Sequence, residues 1–353
     1  MDFGLSEEQT LLQDSVNRFL EAEAPLTRVR EFAEQQTSDD VWEGLASLGV
    51  AGLTIGESAG GVGLTAFDAA LVSESLGYHT TPSPYVGSAV IAPMALTRSG
   101  HEEHPLLGDL AAGTATVGLA LNEAVAARAD AGINGNGEIL NGKALYVHDF
   151  GAANFLVADQ DQRLYLVDAG AHGLARQPLA NIDQTRVSGA LEFRDTPATC
   201  LSDDADLLAT LIDVGRVMLA ADSLGAAQCM LDQAVAYAKE REQFNRPIAS
   251  FQAVKHMCAE MAAALEPCRA MVWYAAHAID AAPDEIRVTA CHTKAHTSEV
   301  ATFVAKTATE VHGGMGFTDL VGLHYWFKRI GYNRQMLGAP ELIREEAALA
   351  QGL

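Results

Sequence analysis

From Leu207 to Tyr237 apolar side chains return at helical spacing without interruption: Leu207, Leu208, Leu211 and Ile212, then Val217, Leu219, Leu224, Met230, Leu231, Val235 and Tyr237. A globular helix averages about 10–14 residues, so a run of this length demands other long helices to cover it. Further helical runs follow over Phe251 to His277, Pro283 to Val311 and Pro340 to Leu349. Residues 203–353 therefore read as a helical domain. The texture before it differs. Between 112 and 202 the short segments "TATVGLAL", "EILNGKALYVHD", "NFLVADQ", "RLYLVDAG" and "GALEFRD" are rich in β-branched and aromatic residues, with Asn and Gly turns between them. They predict a small, mostly antiparallel sheet domain in which "INGNGEILNGKALYV" forms a hairpin. Residues 1–111 are helical again, on the spacing of Leu11, Leu12, Val16, Phe19 and Leu20 and of Val41, Trp42, Leu45 and Leu48. "HEEHP" at 101–105 reads as a solvated loop. Helices, sheet, then helices make an α+β layout, without the strand–helix alternation of a doubly wound nucleotide fold. The glycine-rich "GESAGGVGLT" does not follow a strand and is not GxGxxG.

With 353 residues, 49% of them apolar and 20% charged, the chain can bury a sizeable core. A formal charge of −23 excludes nucleic acid as a default partner, because phosphate binding wants a basic face. The amino terminus has no basic region followed by an apolar one, and no apolar run approaches the roughly 20 residues of a membrane helix. Five cysteines, odd in number and without a CxxC pair, suit a reducing cytoplasm.

Two stretches carry candidate chemistry. In "KEREQFNRPIASFQAVKHMCAEM", Lys239 to Met261, two helical runs are broken at Asn245, Arg246 and Pro247. Around the break stand Arg241, whose planar fork suits a diphosphate, Phe244, an apolar wall, and Gln252, both donor and acceptor. The alternative is a surface ion pair of Arg241 with Glu240 or Glu242, a core Phe244 and a solvated Gln252. In "TEVHGGMGFTD", Thr309 to Asp319, paired glycines admit a ligand to the backbone or simply cap a helix. His292, His296 and Glu299 share a helix face but lack a clear third histidine-type ligand, so no metal site is expected. No Ser-His-Asp order or reactive-cysteine context stands out.

"YAKEREQFNRPIASFQAVKH" followed about 60 residues later by "VHGGMGFT" resembles the flavin-binding motifs of the acyl-CoA dehydrogenase family. "GVAGLTIGESAGGVGLTAFDAALVSESLG" and "NGKALYVHDFGAANFLVAD" resemble it too, so four ordered motifs span nearly the whole chain. The resemblance implies FAD and acyl-CoA thioesters. It aligns Arg241 with an arginine on the FAD pyrophosphate, Gln243 and Phe244 with its neighbours, and Gln252 with a glutamine reaching FAD across a dimer interface. Gly313 and Gly314 match a loop that touches the cofactor, with Glu310 and His312 in the same motif. In the family these contacts go to the adjacent subunit's FAD, which implies an oligomer.

The departures are as informative. The family removes the α-proton of the thioester with a glutamate, at one of two known places; here those places hold Leu337, in "QMLGAPELIR", and Gly215, before Arg216. The flavin-contacting Thr-Glu-Pro-Gly-x-Gly-Ser-Asp is replaced by "LNEAVAARAD", which keeps Glu123. Leu145, Tyr146 and Val147 stand where a Trp-Ile-Thr backs the flavin. Glu310 replaces a glutamine beside the pyrophosphate. Features that reach a neighbour's FAD are kept, and features that build a subunit's own active site are lost. The chain thus resembles the short, non-catalytic subunit of actinobacterial heteromeric acyl-CoA dehydrogenases, often steroid side-chain enzymes, with a second dehydrogenase subunit as partner in an α2β2 assembly. Two alternatives remain: a homomer using a displaced acid among Asp319, Asp213 and Glu341, or a flavin-free scaffold.

Overall fold

A computed structural model describes residues 4–35 and 39–353; residues 1–3 of the amino-terminal stretch and 36–38 lie outside them. The amino-terminal helices are α1 (Glu7–Glu23), α2 (Leu26–Gln35), α3 (Asp39–Ser47), α4 (Ala66–Tyr78), α5 (Ala92–Arg98) and α6 (Leu106–Ala111). β1 (Val117–Ala120), the single turn α7 (Asn122–Val125), β2 (Gly132–Gly135), β3 (Ile139–His148), β4 (Asn154–Ala158), β5 (Leu164–Asp168), β6 (Leu174–Pro178), β7 (Ser188–Pro197) and β8 (Thr199–Ser202) follow. α8 (Ala205–Glu240), a small β9 (Glu242–Gln243) and β10 (Arg246–Pro247) hairpin, α9 (Gln252–Ala281), α10 (Ile286–His312), α11 (Leu323–Gln335) and α12 (Pro340–Ala350) complete the chain. The α+β order expected from the sequence is the order found. Asn245 to Pro247, read as a simple break between helices, belongs instead to the β9–β10 hairpin.

The large sheet runs β6-β7-β3-β1-β4-β5-β8, with β2 paired to β3. Among the described residues only β1 and β4 pair in parallel; the expected β2–β3 hairpin is antiparallel, with Gly132 opposite Lys143. The sheet is anchored to the helices where Val86–Ile91 forms a π-helical turn. There Gly87 admits the Val117 carbonyl, and the Ser88 hydroxyl accepts the Val117 N–H at 2.9 Å.

α8 is the axis of the molecule. Every residue from Leu211 to Ala227 is buried, the condition of a helix enclosed on all sides. α4 crosses it at two glycines: a β-carbon at Gly77 would lie 1.9 Å from the Asp222 carbonyl oxygen, and one at Gly225 1.8 Å from that of Glu74. Only bare backbone allows helices so near. Within this core Asp222 accepts from Arg329 at 2.9 and 2.8 Å, from Arg186 at 2.9 Å and from Asn333 at 2.7 Å. Arg329 also donates to Thr185 and to the Thr81 carbonyl, and Arg186 to that of Ser83. One carboxylate thereby ties α8, α11, the loop before β7 and the turn after α4. Among the described residues no helix is long and apolar enough to cross a membrane.

Candidate functional site

α8 ends where Arg241 turns out of helical geometry, its N–H still bonded to the Tyr237 carbonyl at 2.8 Å. The hairpin that follows turns through Phe244 and Asn245, both left-handed with φ of 54° and 61°. Asparagine tolerates that conformation; for phenylalanine it stores strain. The Ile248 N–H donates to the Arg241 carbonyl and ties the hairpin to the helix end. Phe244 is 87% exposed, edge-on to Phe251, whose ring lies 4.1 Å beneath the Arg246 guanidinium. Arg241, Gln243 and Gln252 are also exposed, Gln252 as the first residue of α9. Among the described residues no carboxylate pairs with Arg241, and Phe244 is not core.

α10 ends at His312, and Gly313 takes φ 58° and ψ −137°, which glycine adopts most easily. No atom stands within 4 Å of where β-carbons at Gly313 or Gly314 would lie. His312 is buried and stacked on Tyr237, ring centroids 4.6 Å apart, and its Nδ1 donates to the Ala308 carbonyl. Burial pushes its pKa down, against the bond to the Ala308 carbonyl. Glu310 is exposed. The His312–Tyr237 stack joins the ends of α8 and α10, so the hairpin and the glycine turn come together at one end of the molecule. Two residues the sequence did not flag, Phe317 and Leu320, are 84% and 76% exposed just beyond the glycines.

Gly215 and Leu337, the positions that the resemblance aligns with the family's base, converge elsewhere. A β-carbon at Gly215 would meet the Leu337 Cδ1 at 2.4 Å, so Leu337 occupies the room a side chain at 215 would need. Leu337 is buried and left-handed, φ 54°, and its carbonyl accepts from Arg216 Nε at 2.9 Å. Across from it β3 bulges between Ala144 and Val147, turning Tyr146 outward at φ 53°. Glu123 accepts the Leu145 N–H at 2.9 Å and pairs with Arg128, and burial raises its pKa. Asn122, absent from the sequence reading, bridges the two sides: its Nδ2 donates to the Tyr146 carbonyl at 3.0 Å, and its Oδ1 accepts the Leu337 N–H at 3.2 Å. Its adjacency to Glu123 in the departed motif was the available signal. The exposed edge, with a guanidinium that no carboxylate of the described residues holds and glycines open to approach, suits the phosphates of a nucleotide, whereas at Gly215 the room for a further side chain is taken by Leu337.

The three alternative acids are held apart from one another. Asp213 is buried between Arg216 at 3.0 Å and Arg287 at 2.7 Å, and burial, opposed by Arg287 and Arg216, moves its carboxyl up to about 6. Asp319 lies at the surface beside Arg30 and His324, and Glu341 is exposed and paired with Arg334 at 2.7 Å. His292 and His296 are exposed on α10, and Glu299 is held by Arg344. Among the described residues no group of three or more potential ligands could hold a metal.

Lys294 lies fully buried under the turn carrying Leu337, its Nζ 3.3 Å from the Arg334 carbonyl and 3.5 Å from that of Gly338. Burial, with Arg216 and Arg334 adding to it, pushes its pKa down to about 7. A depressed lysine pKa means stability is lost as pH falls from the unfolded value of 10.5 toward 7. Lys294→Met is thus expected to be the more stable chain at pH 7, its advantage shrinking by up to about 1.4 kcal/mol per pH unit as pH rises. Urea midpoints at pH 7, 8 and 9 check this; a constant difference would refute it.

Residues 6–113 match the family of acyl-CoA dehydrogenase N-terminal domains, and residues 206–350 that of acyl-CoA dehydrogenase C-terminal domains. The chain is 32% identical over 348 residues to the acyl-CoA dehydrogenase IpdE2 of Mycolicibacterium smegmatis, covering 97% of this chain and 99% of that protein. Among solved structures, the Tcur3481-Tcur3483 steroid ACAD superposes with a TM-score of 0.89 at 29% identity, covering 98% of each chain. The ChsE4-ChsE5 complex of Mycobacterium tuberculosis gives 0.88 at 27% identity over 99% of each.

Proposed function

This chain belongs to the acyl-CoA dehydrogenase family, FAD-dependent oxidoreductases acting on CH–CH donors, and from that premise we propose that it is the non-catalytic half of a heteromeric dehydrogenase. Its exposed edge completes the FAD site of a partner subunit, which supplies the glutamate for α,β-dehydrogenation of an acyl-CoA thioester. The observation that carries this reading is Leu337 packed over Gly215: both positions of the family's base are apolar or bare, and they fill each other's space.

FAD, when bound, would supply the hydride acceptor for the β-hydrogen, and the partner's carboxylate would be the base for the α-proton. In this chain Arg241 supplies a charge-assisted bond to the pyrophosphate, Gly313 and Gly314 offer close backbone approach, Phe244 forms an apolar wall and Gln252 reaches the cofactor. Gln243 and His312 support the same edge, and Glu310 stands where its charge disfavours a nearer phosphate. A steroid side chain is the acyl group we favour, supported by the steroid ACAD among the similar structures. The five free cysteines support a cytoplasmic location. The domains of this reading are 1–111, 112–202 and 203–353, in an α2β2 assembly.

Co-expression with a catalytic dehydrogenase subunit and measurement of flavin per complex test the reading. One FAD per two chains is expected, with little FAD on the isolated chain. One FAD per chain would overturn it, and a colourless complex would point to a scaffold.

A further inference from the structure

Tyr146, turned outward, and Leu337, buried, are two of the bulky residues held left-handed among the described residues, and their backbones meet at one seam. Such conformations cost about 1–3 kcal/mol each and persist only where surrounding contacts enforce them. A single carboxamide touches both. Asn122, 2% exposed, donates to the Tyr146 carbonyl and accepts the Leu337 N–H, with the Met336 sulfur 3.8 Å from the same nitrogen. The other side of the turn is pinned independently: Arg216 holds the Leu337 carbonyl and is itself held by both oxygens of Glu346 at 2.7 and 2.9 Å. A β-carbon at Gly338 would press on Ile343 at 2.6 Å and approach Val125 at 3.3 Å, so the turn closes tightly against α7 and α12.

We propose that Asn122 is a latch that keeps this chain's own cleft shut, with Leu337 as the plug behind it. The inference rests on the proposed function and deepens it. Loss of the glutamates removes chemistry, whereas the latch removes the binding site, so that ligand in the heteromer is confined to the partner's cleft. Asn122 does this as a positioning residue, by holding β3 and the Arg334–Gly338 turn together. An asparagine suits the task because one side chain presents a donor to β3 and an acceptor to the turn before α12. Alanine presents neither, and leaves the buried Leu337 N–H and the part-buried Tyr146 carbonyl without this partner.

Hydrogen exchange followed by mass spectrometry on the full chain tests the latch, using Asn122→Ala and the milder Asn122→Ser. Peptides covering 144–147 and 334–338 are expected to exchange about tenfold faster or more, a larger factor than for those of α8, while the chain stays folded. Unchanged protection of the seam in both variants overturns the proposal. In a second arm Leu337→Ala is added to Asn122→Ala, and octanoyl-CoA is the probe in equilibrium dialysis. Wild type is expected to retain none and the double variant to bind it. A deprotected seam that still excludes octanoyl-CoA overturns the claim that the latch keeps ligand out. Neither arm counts flavin, so one FAD per chain in the complex would defeat the shared-site reading while leaving these results interpretable.

Discussion

Asp222→Asn is expected to destabilise the chain by about 3–5 kcal/mol, enough to leave much of it unfolded at moderate urea. The carboxylate is 2% exposed and receives bonds from Arg329, Arg186 and Asn333, all buried. An amide keeps the shape but withdraws the carboxylate that both guanidiniums bond directly. It also turns an NH2 group toward donors. Burial pushes the Asp222 carboxyl up, but Arg329 and Arg186 together outweigh it and hold the pKa below the usual range. The sign follows from that depression: the stabilisation is complete above the unfolded value of 3.8 and is lost as pH falls through the lower folded value. Because the cluster joins α8, α11, the loop before β7 and the turn after α4, unfolding of Asp222→Asn should remain cooperative while its midpoint drops. A loss below about 1 kcal/mol in urea melts, the scale of one ordinary hydrogen bond, would show that the arginines find other compensation.

Catalysis should respond to the opposite pattern. In the reconstituted heteromer, replacing the partner's glutamate by glutamine is expected to lower kcat by about 10²–10⁴, the range of a lost general base. Asp319→Asn and Glu341→Gln in this chain should leave kcat within about twofold, since neither carboxylate reaches the seam of Gly215 and Leu337. Asp213 is a poorer test because both its oxygens are engaged by arginines, and its loss would unsettle Arg216 and with it the Leu337 turn. Turnover by the isolated chain that disappears with Asp319→Asn or Glu341→Gln would reassign the base to this subunit.

Residues near in sequence were the legible part of this protein. The apolar period from Leu207 to Tyr237 emerges as α8, and "INGNGEILNGKALYV" as the β2–β3 pair, because helical and hairpin spacing are local properties of the chain. The ordered motifs around Arg241 and Gly313, and the blanks at Gly215 and Leu337, could likewise be read without coordinates. The hairpin geometry was less visible, since left-handed Phe244 runs against its own propensity and is held by the bond from Ile248 to Arg241.

Sequence alone thus determined the order of helices, sheet and helices, the family resemblance, the stretch that carries Arg241 and Gln252, and the leucine and glycine at the positions that the resemblance aligns with the base. Only the tertiary structure decided that those two places touch, that Leu337 fills the space left by Gly215, and that Asn122 ties Leu337 to Tyr146. Asn122 and Leu337 are separated by 215 positions, and Gly215 and Leu337 by 122. No helical or strand period encodes contacts at such separations. They arise when packing brings α7, α8 and the turn before α12 together, and there a buried amide must satisfy whichever backbone groups the neighbouring elements leave unpaired.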